Sequence, residues 1–198
     1  MMLKLLKNFW NYVQSNNIAI YNEFSLQHEL GIYLRENMSG YRVEFERNIK
    51  YFGINKSCGK LKSEIDIVIY SANEKYAFEL KYPSHGQHTK RTYQFLTDIS
   101  FMEYVKEKGE FRNTYVMTVI DNDANGQRYR IGNKSGANGR YRYFRSLKGN
   151  KAYSPIVPGK YYYSSNSSEY VEINGNYDNI TWETTGINEP MFYYILKI

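Results

Sequence analysis

The stretch EIDIVIYSANEKYAFELKY, residues 64–82, constrains the chain more than any other. Two apolar runs flank a short polar segment, the pattern of two paired strands and a turn, yet Asp66, Glu79 and Lys81 stand inside those runs. Strand side chains alternate between faces, so Asp66 shares a face with Glu64 and Val68, while Ile65, Ile67 and Ile69 point the other way. On the second strand Glu79 and Lys81 share a face with Ala77, opposite Phe78 and Leu80. If the segment ANEK closes a symmetric hairpin, Asp66 faces Lys81 and Glu79 faces Val68. The two carboxylates are then diagonal neighbours within roughly 7–8 Å at Cβ. Carboxylates so placed suit a shared hard cation such as Mg²⁺ or Mn²⁺. Such an ion can ionise a water and stabilise charge on a phosphate, and Lys81 is placed to orient the water or offset the developing charge. The competing reading is a solvated sheet face with cross-strand ion pairs of small energy.

The surroundings of this hairpin predict a mixed α/β core. Leu3, Leu6, Trp10 and Val13 recur at helical spacing in residues 1–17, which reads as a packing helix. Residues 21–38 place Leu26, Leu30, Tyr33 and Leu34 on one stripe, with Asn22 as the N-cap. YRVEFERNIKYF (41–52) alternates like a half-buried strand. Strands at 64–71 and 76–82 follow, then a helix over 87–109 ending on Gly109 and a buried strand, NTYVMTVI, at 113–120. The core order over 18–121 is helix, three strands, helix, strand. Residues 122–151 read as a long loop or small insertion. The segment 160–198 carries Tyr-rich strand runs expected to add antiparallel strands to the core sheet. The whole, 1–198, is expected as a single domain.

Asp66, twelve residues, then Glu79-Leu80-Lys81 resembles the active-site signature of the PD-(D/E)XK phosphodiesterase superfamily, the restriction-endonuclease-like nucleases. The element order over 18–121 is similar to that family's core. Ile65 stands where the motif has proline. The resemblance implies a metal-dependent endonuclease of restriction, defence or repair type acting on DNA ahead of RNA. It implies that Asp66 and Glu79 hold Mg²⁺ or Mn²⁺ and that Lys81 assists the attacking water. A glutamate of the first core helix completes the set, and Glu23, on the apolar stripe, is preferred to Glu29. The alternative is a non-catalytic nucleic-acid-binding protein on the same fold. An assembly module built on the Tyr-rich segment is a third class.

Charge supplies an independent pointer to a polyanion. The net charge is +6, but no acidic residue lies between Asp123 and Glu169. Arg128, Arg130, Lys134, Arg140, Arg142, Arg145, Lys148, Lys151 and Lys160 fall there, leaving the rest of the chain at a net −3. Arg and Lys attract phosphates, Tyr stacks on bases and Gly permits close approach, so Arg128, Arg130, Lys134, Arg140, Arg142 and Arg145 are the candidate nucleic-acid contacts.

Other constellations carry less. Gln94 and Asp98 lie one helical turn apart and read as a buried polar pair. DNDANG (121–126) begins like a calcium loop but has Gly132 where the bidentate Glu belongs. His85 and His88 lack a third zinc ligand. The single cysteine, Cys58, excludes a disulfide framework, and with no apolar leader or membrane span in the sequence the expected setting is cytoplasmic. A homodimer is compatible with all of this.

Overall fold

Caps and turns, more than propensity, set the element boundaries. The computed structural model describes residues 2–55, 62–83, 88–131, 142–146, 149–186 and 191–198. The elements are α1 (Met2–Ser15), α2 (Glu23–Asn37), β1 (Arg42–Asn48), a 3₁₀ turn (Ile49–Phe52), β2 (Glu64–Tyr70) and β3 (Lys75–Lys81). They continue with α3 (His88–Gly109), β4 (Asn113–Ile120), α4 (Ala124–Arg130), β5 (Gly159–Tyr162), β6 (Tyr170–Ile173), β7 (Glu183–Thr184) and β8 (Phe192–Lys197). The helix, three strands, helix, strand order read from the sequence is therefore present from α2 to β4. Six strands form one sheet in the order β1-β2-β3-β4-β8-β7, and β5 and β6 form a separate antiparallel pair. Of the carboxy-terminal runs, β7 and β8 do join the main sheet, paired antiparallel. Among the described residues no helix is long and apolar enough to cross a membrane.

The chain falls into two compact units, one of Met1–Tyr82, Phe101–Met117 and Ile195–Ile198, the other of Pro83–Ser100 and Thr118–Tyr194. In the first, α1 buries Leu6, Phe9, Trp10 and Val13, with Phe9 and Tyr33 of α2 at 5.6 Å between ring centroids. Gly31 lets α2 lie against β1, because a Cβ there would stand 2.1 Å from Cζ of Phe45. Strand β2 buries Ile65, Ile67, Val68 and Ile69, and β3 buries Phe78 and Leu80. In the second unit Phe95, Tyr129, Phe144, Trp182 and Tyr194 make an aromatic core, tied by Trp182 Nε1–H donating to the Phe144 carbonyl at 2.8 Å. Part of the chain's 22 tyrosines, Tyr129 and Tyr194 among them, is thus core.

Two sequence expectations need correction here. Residues 122–151 are not loop throughout, because Asp123 caps α4 by accepting from the Gly126 N–H at 2.6 Å. The Asx-rich start is a helix cap, whose local hydrogen bond outweighs the poor helix propensity of the Asn and Gly that follow. Second, the β2–β3 register differs from the symmetric hairpin. Tyr70 pairs with Lys75 and Ile67 with Phe78, because the turn starts one residue early, closed by Ser71 N–H donating to the Glu74 carbonyl at 3.0 Å.

Candidate active site

The revised register changes which charges meet. It removes Lys81 from across Asp66; the ladder ends at the Ile67–Phe78 pair, and just past it the Leu80 N–H of β3 donates to the Asp66 carboxylate. On the other side, β1 pairs with β2 through Phe45 with Ile67 and Arg47 with Ile65. The skipped positions between are Glu46 and Asp66, neighbours on adjacent strands.

Glu46 holds this position at a cost. Its φ is +47°, the left-handed region that a residue with a Cβ enters only when its surroundings hold it there. The surroundings are supplied by Gln27 on α2, whose Nε2 donates to Glu46 Oε1 at 2.6 Å and to the Asp66 carbonyl at 2.7 Å. Gln27 therefore satisfies the backbone group that the broken ladder leaves open and ties α2 to β1 and β2.

The same helix brings Glu23. Asn22 accepts from the Ser25 N–H at 2.7 Å and Ser25 Oγ accepts from the Asn22 N–H at 3.0 Å, a reciprocal cap that fixes Glu23 as the first helical residue. Glu23 Oε1 accepts from Lys81 Nζ at 3.4 Å, and Oε2 accepts from the Tyr82 N–H at 3.1 Å. Glu29, the alternative helix glutamate, pairs instead with its neighbour His28 at 3.0 Å. On β3, Glu79 is fully buried and bonded to the Lys62 ammonium, and Lys81 is 8% exposed.

Asp66 Oδ2 accepts from the Leu80 N–H at 2.7 Å. Burial pushes its carboxyl up from the ordinary 3.8 to about 6, against the pull of the Lys62 charge, the Leu80 N–H and Lys81, and with a further push from Glu23. A carboxylate this costly to ionise is one whose charge calls for a nearby cation. Two cavities adjoin it. One, of about 260 Å³, is lined by Glu23, Phe24, Gln27, Glu46, Asp66 and Leu80. The other, of about 210 Å³, is lined by Glu46, Lys62, Ser63, Glu64 and Asp66. Phe24, at 77% exposed, stands at the edge of the first.

Among the described residues no three His, Cys, Asp or Glu side chains stand close enough to hold a metal ion. Carboxylates of Glu23, Glu46 and Glu64, the donor type a hard divalent cation takes, line the cavities beside Asp66 together with the Gln27 amide and Ser63. Lysine ammonium groups meet two carboxylates, Lys62 on Glu79 and Lys81 on Glu23. In this arrangement lysines supply the positive charge.

The sequence missed Gln27, Glu46 and Lys62. Gln27 carried a usable signal, lying four residues and thus one turn beyond Glu23 on the same helix face. Glu46 carried a weaker one, since only the strand register aligns it with Asp66. Lys62 lies outside any periodic element and offered none.

The predicted nucleic-acid contacts divide. Arg128 and Arg142 are exposed and Arg145 is half-buried, whereas Lys134 and Arg140 lie outside the described residues. Arg130 does not face solvent. It is 7% exposed, stacks 3.7 Å over the Phe192 ring and donates to Asn150 Oδ1 at 3.1 Å. Its flat guanidinium packs as an aromatic partner in a Tyr- and Phe-rich unit. Asp98 is buried, close enough to the Tyr194 phenol for its charge to help burial push that group up.

No protein-family model matches the chain, and no curated protein or solved structure matches it significantly.

Proposed function

We propose that the chain is a metal-dependent endonuclease that hydrolyses phosphodiester bonds in DNA, on a core of the restriction-endonuclease-like kind. One observation carries the proposal. Glu23 and Lys81, 58 positions apart, are bonded to each other, and Glu23 lines one cavity with Asp66.

Asp66 and Glu79 would hold Mg²⁺ or Mn²⁺, with Glu23 as a further carboxylate. The ion would supply an acidified water and neutralise charge on the phosphate. The chain supplies the rest. Gln27 fixes the Asp66 backbone and the Leu80 N–H holds its Oδ2. Glu23 orients Lys81 Nζ, whose ammonium can donate to a water or to a phosphate oxygen. The apolar strands behind exclude solvent and strengthen each of these interactions.

Supercoiled plasmid, linear duplex, branched and single-stranded substrates incubated with Mg²⁺ or Mn²⁺ test this. Cleavage of at least one duplex substrate, stopped by chelator, is the expected result. Absence of cleavage on every substrate with either ion removes the proposal.

A second reading keeps the fold and drops the chemistry, as a nucleic-acid-binding protein. The observation in its favour is the pairing of Glu79 with Lys62, which satisfies that carboxylate without metal. It predicts salt-sensitive binding that Lys81→Ala leaves unchanged.

A further inference from the structure

The second unit carries a surface with a different chemistry. Strands β5 and β6 pair Tyr162 with Tyr170 and Lys160 with Glu172. Directly opposed residues share a face, so these four stand together, and alternation sends Tyr161 and Ile173 to the opposite face. That rear face is anchored. Tyr161 donates its hydroxyl to the Val157 carbonyl at 2.7 Å and accepts from the Val157 N–H at 3.0 Å. Ser100 Oγ donates to the Glu172 carbonyl at 2.7 Å, and Tyr163 meets Tyr93 edge-on at 5.3 Å.

The front face is open. Tyr162 and Tyr170 are 47% and 42% exposed, with ring centroids 5.6 Å apart. Lys160 Nζ stands 4.4 Å over the Tyr170 ring. Beside them a cavity of about 300 Å³ is lined by Leu96, Tyr143, Lys160, Tyr161, Tyr162, Ser164 and Ser165, and the Arg142 guanidinium lies 5.6 Å from the Tyr143 ring. Scattered exposed aromatics need no explanation, but two opposed on one ribbon, beside a cation and a cavity at the small end of the ligand-pocket range, form a patch.

We infer that this face of the β5–β6 ribbon binds unpaired nucleotides of a single-stranded nucleic acid. Two exposed rings on adjacent strands offer flat surfaces on which successive bases stack, and Lys160 and Arg142 offer cations to the connecting phosphates. Paired bases already stack on one another and present only edges, so duplex is excluded from the rings. The sequence around the ribbon supports a polyanion, since no acidic residue lies between Asp123 and Glu169. Glu172, opposite Lys160, moderates the charge on the face itself. Stacking therefore carries more of the affinity than phosphate attraction, and the salt dependence is shallow, equivalent to about one or two phosphates.

The test uses the full chain carrying Asp66→Ala, so that no substrate is degraded, and fluorescence anisotropy of a labelled oligo-dT and of the same backbone without bases. The expected result is binding of oligo-dT weakened roughly 5- to 100-fold by Tyr162→Ala or Tyr170→Ala, the scale of one lost base–aromatic stack. Tyr162→Phe, which keeps the ring, retains binding and controls for folding. The abasic strand should bind wild-type rings as weakly as the alanine variants bind oligo-dT. Equal binding of the abasic and normal strands, or indifference to both alanine substitutions, overturns the inference. So does displacement of nothing but a proline-rich peptide from the same tyrosines, which would make the face a peptide groove. Failure here is separable from failure of the nuclease proposal, because duplex cleavage by the wild type does not depend on these tyrosines.

Discussion

On β2 and β3 each charge sits in an apolar strand, whereas the basic stretch from Arg128 to Lys160 spreads its charges over turns, a short helix and an edge ribbon. In the first region the three charges set into the apolar runs each have a definite neighbour: Asp66 the Leu80 N–H, Glu79 the Lys62 ammonium, Lys81 the Glu23 carboxylate. In the second, one arginine of the predicted six is buried in aromatic packing and others are exposed. A charge set against the hydrophobic pattern of a strand is informative about position. A surplus of charge in an irregular segment is informative only about the total field.

Substitutions sharpen the contrast, beginning with the largest effect. Lys62→Ala should destabilise the fold by about 3 kcal/mol, because Glu79 is fully buried and loses a charged partner. Glu79→Gln in the same chain should recover most of that loss, as read by urea denaturation. An additive pair of losses would mean that the two side chains do not interact.

Asp66 gives a pH-dependent counterpart. Its carboxyl titrates near 6 in the fold and near 3.8 when solvated, so the native state holds the proton more tightly. Stability from this group therefore falls as pH rises from about 4 to about 6 and stays reduced above. In chelator, Asp66→Asn should raise stability by about 2–3 kcal/mol above pH 6 and leave it unchanged near pH 3, at about 1.36 kcal/mol per unit. Thermal melts across pH 3–8 show this directly, and a constant difference over that range would contradict it.

The arginines complete the series. Arg130→Ala should cost about 1–2 kcal/mol through the lost stack on Phe192 while leaving the salt slope of nucleic-acid binding unaltered. Arg142→Ala should leave stability unaltered and reduce that slope by about 1. Interchanged results would place the contacts on the wrong arginine.

Much of this fold was legible because its signals are local. The Asn22 cap, the 3.6-residue stripe of α2 and the unbroken apolar run of β4 each depend on neighbours in sequence, and the structure bears them out. The α4 cap by Asp123 was equally local, but a run of Gly, Asn and Arg without an apolar stripe hid it. The β2–β3 register was missed because it turns on one hydrogen bond, Ser71 to Glu74, that shifts the turn by a residue. Glu23, Asp66, Glu79 and Lys81 are named by a pattern resemblance; the structure bonds Lys81 to Glu23, sets Glu23 beside Asp66 in one cavity and bonds Glu79 to Lys62. Glu46 and Gln27 became visible only with the tertiary structure. An unusual φ and a bridging amide are properties of packed neighbours, and neither leaves a periodic trace in sequence.

The most direct measurement of the central claim is plasmid cleavage in Mg²⁺ or Mn²⁺ by Asp66→Ala and Lys81→Ala beside the wild type, with DNA binding recorded on the same samples. A catalytic site predicts that both substitutions reduce cleavage by roughly 10²–10³-fold or more, the scale of a lost transition-state contact, while binding persists. Wild-type cleavage that survives both substitutions would place the chemistry elsewhere, and binding without cleavage in all three proteins would make these charges a structural feature of the sheet.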